Sequence, residues 1–525
     1  MTPALQALLA LIWRETRLSL NLLLVGPSSA EVRALDAQLD THPPRHIHWV
    51  LLDAQATDFS RETLGCGELT VWPGAGPSAL RGGIGVFHGV HLDAPEQANG
   101  RDWAKALRPH VAQGTWLHRP SGFASDAVGQ WSSAGWVCPA DAPHTAHFAP
   151  RWSAPQHPDE PQRQVTVIGA GLAGAATAHA LSQRGWHVDW LDAGAHWASG
   201  ASALPVGLLS RHRTAQATPM SELADVALPH TVHALSHLLP GQQGWQATWV
   251  DQLPSARGGP PPGREPAWLV QPAALVNAWA QAALASGRVR WRPEQTVTQI
   301  RCEAGLWHSL NAQDAPIAAT PHLVLANAYG ARALLGEQAP ALRPVAGQMS
   351  WGHWPSDTPP CAPYPRRSHG VLTPSFDAPQ GRIWAVGSTY RRGVEAPLLL
   401  DSDHDANAES LARLCPAASP VFHAQRARGD LRAFVSVRCA SRDRMPLVGT
   451  LPQAQAPWPA RGGLAAVPRQ TGLHIISGLG SRGLTLAAWA AHTLADQLEA
   501  VPLDTPAHLV QACDPARKGL RSDAR

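Results

Sequence analysis

The stretch VTVIGAGLAGAATAHALSQRGWHVDWLDAG, Val165 to Gly194, constrains the fold of this 525-residue chain more than any other. It reads as a strand, a glycine-rich turn, a helix and a second strand ending in an acid. Gly169, Gly171 and Gly174 supply GxGxxG. The first glycine permits the tight turn, the second lets the backbone approach a pyrophosphate, and the third lets helix and strand pack closely. The helix start then turns free N–H groups and the positive end of its dipole toward the phosphates. Asp192 follows Gly169 by 23 positions, at the end of the second strand, where a carboxylate accepts ribose hydroxyls. In register, these parts predict a Rossmann-like dinucleotide-binding domain.

A second strand-to-helix turn lies in TGLHIISGLGSRGLTLAAWAAHTLADQL, with Gly478, Gly480, Ser481 and Gly483. It fits a flavoprotein whose sheet is completed by its C-terminal part. Such a helix start aims N–H groups at the flavin ring, where negative charge develops on reduction. An NAD dehydrogenase has no need of this element, so the predicted cofactor is FAD. Between the two turns, HWASGASALPVGLLS carries Gly200, Ser202 and Gly207. It resembles the second FAD contact of the D-amino-acid oxidase and glycine oxidase superfamily, where a small-residue loop passes the pyrophosphate and flavin.

The fingerprint starts far into the chain, and what precedes it is not featureless. Residues 1–138 alternate helix-like and strand-like segments, with strands at LSLNLLLVG, HIHWVLLDA and GIGVFHGVHLDAP. That alternation predicts an α/β domain with a mainly parallel sheet. Residues 139–164 turn to Pro, Ala, His and charge and read as a linker. Residues 165–525 then form the FAD domain, with FAD-binding parts at about 165–215 and 435–500 and an inserted α+β substrate part between them. SARGGPPPGREP reads as a long surface loop inside it.

Composition excludes several classes. A net charge of +3 gives no global basic field. Hydrophobic content of 44% with 15% charged residues describes a globular chain. Seven cysteines without a CxxC pair argue for reduced thiols and against a zinc site, and no metal is expected. The N-terminal ALQALLALIW has neither a basic region before it nor a small-residue cleavage site after it. Leu5, Leu8, Leu9 and Ile12 instead mark one face of an amphipathic helix. No run reaches the ~18 apolar residues of a membrane span. A cytoplasmic, monomeric protein is expected.

FAPRW, LANAYGARAL, LRPVAGQ, GSTYRR, VSVRCASRDRMPLVGTLP and SGLGSRGLTLA occur in that order, followed by PLDTPAHLVQACDPAR. Together they resemble the tRNA 5-methylaminomethyl-2-thiouridine biosynthesis bifunctional protein family, MnmC. The resemblance covers the whole FAD domain and, more weakly, the first. It implies oxidation of the glycine-like arm of 5-carboxymethylaminomethyl-(2-thio)uridine at the tRNA wobble position. The imine then hydrolyses, glyoxylate departs and an aminomethyl group remains. In the family, the N-terminal domain then methylates that amine with S-adenosylmethionine, and the superfamily resemblance suggests oxygen as electron acceptor.

The arm ends in a carboxylate, which a fork-shaped guanidinium suits. The positions matching the superfamily's carboxylate-binding arginines are Arg438 in VSVRC and Arg482 in GLGSRG. Tyr390 in GSTYRR is one of three tyrosines and a candidate pocket wall. Arg426, Arg428, Arg432, Arg442 and Arg444 near this site, and Arg517, Lys518, Arg521 and Arg525 in the tail, are candidates to meet anticodon-loop phosphates.

The first domain departs from the family. The acidic, glycine-rich ETGFGTG-type loop that holds S-adenosylmethionine is missing, and the chain opens in the helix that should follow it. LLLVGPSS, taken as the second strand, offers Gly26 and Pro27 where the family has an acid. HLDAPEQANG stands where LDGFAPAKNP is expected, keeping only Asp93 and Pro95. These losses predict a degenerate methyltransferase-like domain without methyl-transfer activity, retained for docking or orienting tRNA, with a separate methyltransferase as partner. Two other readings stay open: a small-molecule amine oxidase of the glycine or sarcosine type, and a non-catalytic flavin-bearing tRNA scaffold.

Overall fold

The computed structural model describes residues 2–15, 17, 19–39, 46–74, 76–93, 100–123, 128–157, 161–254, 259–355, 358–454, 459 and 463–517. The chain divides into two compact units: Met1–Pro161 with Asp496–Val510, and Gln162–Ala495 with Gln511–Arg525.

In the first unit, helix α1 (Pro3–Arg14) buries Leu5, Leu8, Leu9 and Ile12, the four positions its periodicity marks. Its sheet comprises β1 (Ser19–Val25), β2 (His46–Asp53), β3 (Ser60–Thr63), β4 (Gly67–Pro73), β5 (Phe87–Leu92), β6 (Val111–His118), β7 (Trp136–Val137) and β8 (Thr145–Phe148). They run in the order β3-β4-β2-β1-β5-β6-β8-β7. From β4 to β6 the pairs are parallel, and β3, β8 and β7 are antiparallel.

This order corrects the strand assignment made from sequence. LLLV lies in β1, which pairs β2 on one side and β5 on the other, so the winding reverses at β1. In a doubly wound sheet that position belongs to the first strand, whose turn faces the ligand crevice. The second strand is therefore β2, and it does end in an acid, Asp53. Helix α1 precedes the first strand and does not follow it.

Two boundaries also differ from the sequence reading. Strand β8 lies inside the stretch read as linker, and Asp496–Val510 belongs to the first unit although the sequence reading placed it within the FAD domain. Leu503 N–H donates to the Ile84 carbonyl at 2.9 Å, and Trp72 Nε1 donates to Leu503 O at 3.0 Å. Arg61 pairs with Asp496 at 2.7 Å. Local sequence carries no trace of such long-range contacts.

The second unit holds a six-stranded sheet around the fingerprint strand β9 (Gln164–Ile168). Its order is Val289–Arg292, β10 (His187–Leu191), β9, His322–Leu325, Arg469–Ser477, Leu447–Pro452. All neighbours are parallel except the last pair. The FAD fold expected from sequence is present: the strand before the second glycine turn, Arg469–Ser477, completes the sheet that the fingerprint strand opens. A second, mixed sheet includes Gly207–Ser210, Gly263–Val270, Leu342–His353, Gly381–Gly387 and Arg432–Ser441, which fits the expected α+β insertion. Among the described residues, no helix is long and apolar enough to cross a membrane.

Candidate active site

Two glycines in the fingerprint turn are required by contact. Gly169 has φ +112°, and a Cβ there would lie 2.6 Å from the Ala326 carbonyl oxygen. At Gly174, a Cβ would overlap the Gly169 carbonyl oxygen, so helix α5 (Leu172–Gln183) can approach β9 only without a side chain. Trp190 Nε1 donates to that same carbonyl at 2.8 Å. The result is a helix N-terminus pressed against the sheet end and bordering the cavity.

Asp192 braces the turn. Its Oδ2 accepts the Ala170 N–H at 2.6 Å and its Oδ1 the Gly194 N–H at 2.7 Å. Ser202 Oγ accepts the Leu172 N–H at 3.0 Å, so the small-residue loop is tied to the helix start.

These groups line one cavity of about 720 Å³ in the second unit. Gly169, Gly171, Asp192, Gly200, Ser202 and Gly207 line it from the fingerprint turn and the small-residue loop. Gly478, Gly480, Ser481 and Gly483 border it from the second turn, and Arg438, Arg482 and Tyr390 line it too. Of the glycines singled out in the fingerprint, Gly174 alone is not in the wall, as its packing role requires.

The arginines carry the electrostatics. Arg438 Nη2 donates to Ser388 Oγ at 2.6 Å, and its guanidinium lies 4.8 Å from the Tyr390 ring centroid. Tyr390 is itself 56% exposed, so this side of the cavity faces solvent. Arg482 Nη2 lies 2.8 Å from His212 Nε2. Burial lowers the pKa of both guanidiniums. Among the described residues neither has a carboxylate within salt-bridge distance. Partly buried cations are costly when unpaired, and such a site favours an anion that brings the missing charge. His212, pushed to about pKa 4 by burial and then by Arg482 and Arg367, stays neutral near pH 7.

The sequence did not point to His212 or to Arg367. Arg367, in the cavity wall, reaches Gln252 Oε1, Ser210 Oγ and Glu265 Oε1 at 2.7–2.8 Å, so one fork joins three strands of the second sheet. Each is an ordinary residue in sequence; only the non-local pairing of strands gathers them.

The basic cluster is smaller than the sequence suggested. Arg426 pairs with Asp405, Arg428 with Asp430, and Arg517 forks onto Asp443 at 2.7 and 2.8 Å while nearly buried. Arg517 holds its own structure, whereas Arg426 and Arg428 form ion pairs with exposed acids. Arg442 and Arg444 are exposed, and the charge of Arg444 helps depress the Arg482 pKa. Arg432 is exposed against Trp351. Lys518, Arg521 and Arg525 lie outside the described residues.

In the first unit, the turn after β1 and the start of the next helix are tied by their own hydrogen bonds. The β1 turn is closed on β5: the Asp93 N–H donates to Val25 O at 2.9 Å, and a Cβ on Gly26 would collide with the Asp93 carbonyl. The helix that follows, α2 (Ser29–Leu39), has its start occupied by the chain itself. Glu31 Oε2 accepts from the Ser28 N–H at 2.8 Å and from Ser28 Oγ at 2.9 Å, bonds that lower the Glu31 pKa. Asp53 Oδ1 accepts the Gln55 N–H at 2.8 Å. Pro95 lies outside the described residues.

Comparison with known proteins gives a consistent result. The profile of the family described as "DAO: FAD dependent oxidoreductase" matches residues 164–256 and 261–497. A "tRNA 5-methylaminomethyl-2-thiouridine biosynthesis bifunctional protein MnmC" of Polaromonas naphthalenivorans is 33% identical over 413 residues, 70% of this chain and 61% of that protein. The alignment thus spans less than two thirds of that relative. The protein of the same description from Albidiferax ferrireducens is 30% identical over 519 residues, 88% of this chain and 81% of its own length. Glycine oxidase from Geobacillus kaustophilus shares the fold, with a TM-score of 0.50 and 16% identity over 64% of this chain and 95% of its own. FAD is the cofactor, and Gly169, Gly171 and Asp192 line the cavity that would hold it.

Proposed function

This chain belongs to the FAD dependent oxidoreductase family and to the MnmC family, and from that membership we propose that it modifies wobble uridine in tRNA. The reaction removes the carboxymethyl group of 5-carboxymethylaminomethyl-(2-thio)uridine. A C–H bond beside the amine gives two electrons to the oxidant, water adds to that carbon, and the C–N bond breaks. The products are the 5-aminomethyl nucleoside and glyoxylate. When bound, FAD supplies the two-electron acceptor.

The observation that carries this reading is the pair of arginines without carboxylate partners in a flavin-sized cavity. Arg438 and Arg482 receive the arm's carboxylate, and Tyr390 holds the Arg438 guanidinium by its ring face. Arg442 and Arg444 meet anticodon-loop phosphates at the rim. The protein works as a monomer in the cytoplasm.

The test mixes the full chain with tRNA bearing the carboxymethylaminomethyl group and assays glyoxylate and nucleosides. One glyoxylate should form for each aminomethyl nucleoside. Flavin bleaching by free glycine or sarcosine, but not by this tRNA, would overturn the reading in favour of a small-molecule oxidase.

The first unit then serves as a docking or tRNA-orienting module, and a separate methyltransferase completes the modification. Titration calorimetry with S-adenosylmethionine is expected to show no saturable heat. Micromolar binding would mean that the β1 turn opens and that the unit still serves methyl transfer.

A further inference from the structure

We propose that His46, His48 and Glu68 form a divalent-metal site of the zinc class on the first unit. The proposal is independent of the flavin chemistry. His46 and His48 stand two apart on β2, so both rings leave the same face of the sheet. Glu68 on β4 lies directly opposite His48 in the parallel register, which brings a carboxylate to the same place. One donor atom from each residue lies within 4.8 Å of the other two. The imidazole centroids are 4.5 Å apart, and His48 Nδ1 is 3.6 Å from Glu68 Oε2.

A tetrahedral zinc ion sits ~2.0–2.2 Å from nitrogen and oxygen donors, which sets neighbouring donors about 3.3 Å apart. His48 and Glu68 are near that spacing already. His46 is exposed, so its ring has room to turn toward the other two donors. Two imidazoles and one carboxylate suit zinc or cobalt, and three protein donors leave a fourth position toward solvent.

The surrounding charge favours a cation. Glu68 Oε2 is 3.6 Å from Arg61 Nη1, but that nitrogen has a closer partner in Asp496 at 2.7 Å. Asp504 stands 3.7 Å from Arg61 Nε. Three carboxylates thus surround one guanidinium, and Glu68 is the one nearest the histidines. The row also departs from what a central parallel sheet normally carries. Glu68, His48 and Asn21 lie side by side across β4, β2 and β1, where apolar side chains are the rule. A search for paired cysteines passes over this site, because its donors come from HIH on one strand and an acid about twenty residues later.

The test titrates full-length protein, stripped by chelator and dialysed, first with Co(II) and then with Zn(II). One Co(II) per chain is expected, with the intense visible absorption of a tetrahedral site, displaced by Zn(II). Loss of partners that only orient ligands already weakens metal binding by about 10- to 100-fold, so His46→Ala should weaken it by at least about 100-fold. Circular dichroism and flavin content should stay unchanged, because His46 is exposed. Glu68→Gln should act likewise; if it perturbs folding through Arg61, His46→Ala alone decides. Absence of stoichiometric uptake, or equal uptake by His46→Ala, would overturn the proposal.

Discussion

Arg438→Met is expected to cut kcat/KM for the modified tRNA by roughly 30- to 5,000-fold, with the flavin retained. That range follows from the ~2–5 kcal/mol lost when one partner of a buried, hydrogen-bonded charge pair is truncated. The guanidinium lies beside Tyr390 and Ser388, on the cavity wall rather than in the glycine cradle, so FAD content should not change. Stability supplies a second readout. Arg438 has no carboxylate partner among the described residues, and burial depresses its pKa. The empty protein therefore carries the cost of a poorly solvated cation, and methionine removes that cost while keeping most of the volume. The Tm of the variant should equal or exceed that of the parent. Arg438→Lys keeps charge but not the fork and should fall between. Arg517→Ala is the contrast: it removes a fork from Asp443 and a donor from each of the buried Met445 and Pro446 carbonyls, so its Tm should fall. Loss of flavin from Arg438→Met would make this arginine structural and remove the main support for carboxylate binding.

The parts of the site that were legible in the sequence are those fixed by local geometry. Gly169, Gly171 and Gly174 follow from what a tight strand-to-helix turn demands, and so do Gly478 and Gly480, whose φ values are +70° and +57°. Asp192 is legible because a strand of known length carries it to the turn. Arg438 and Arg482 needed the family resemblance, since an arginine in an arginine-rich chain says little by itself. What stayed hidden depends on pairing over long distances. The central position of β1 is set by β5, more than sixty residues later in the chain. Arg517 looked like a surface charge because Asp443, its partner, is 74 residues away. The HIH of β2 became a candidate only once the register placed Glu68 beside it.

Gly174→Ala is expected to yield protein without flavin and with a lowered Tm, although the change adds one methyl group to a helix. On propensity alone, alanine should stabilise a helix by up to about 1 kcal/mol over glycine. The contact outweighs that gain. The new Cβ would overlap the Gly169 carbonyl oxygen, a backbone atom held by the Trp190 Nε1 hydrogen bond at 2.8 Å. Nor can Gly169 recede, because its own Cβ position already faces the Ala326 carbonyl and the Asn327 nitrogen at 2.6 and 2.8 Å. Relief must come from lifting helix α5 off β9. Overpacking of this kind costs about 1–3 kcal/mol, and here it falls on unyielding backbone. Lifting the helix also moves the Leu172 N–H away from Ser202 Oγ and the Ala170 N–H away from Asp192, so the cradle for the pyrophosphate opens as well. Gly263→Ala, at an exposed position with no heavy atom within 4 Å of the new Cβ, should keep its flavin and its Tm. The ratio of flavin to protein absorbance after gel filtration, with a thermal melt on the same samples, separates the outcomes. A yellow Gly174→Ala protein with parental Tm would show that helix and strand can part without cost, and that the third glycine of the fingerprint is not what holds the nucleotide site together.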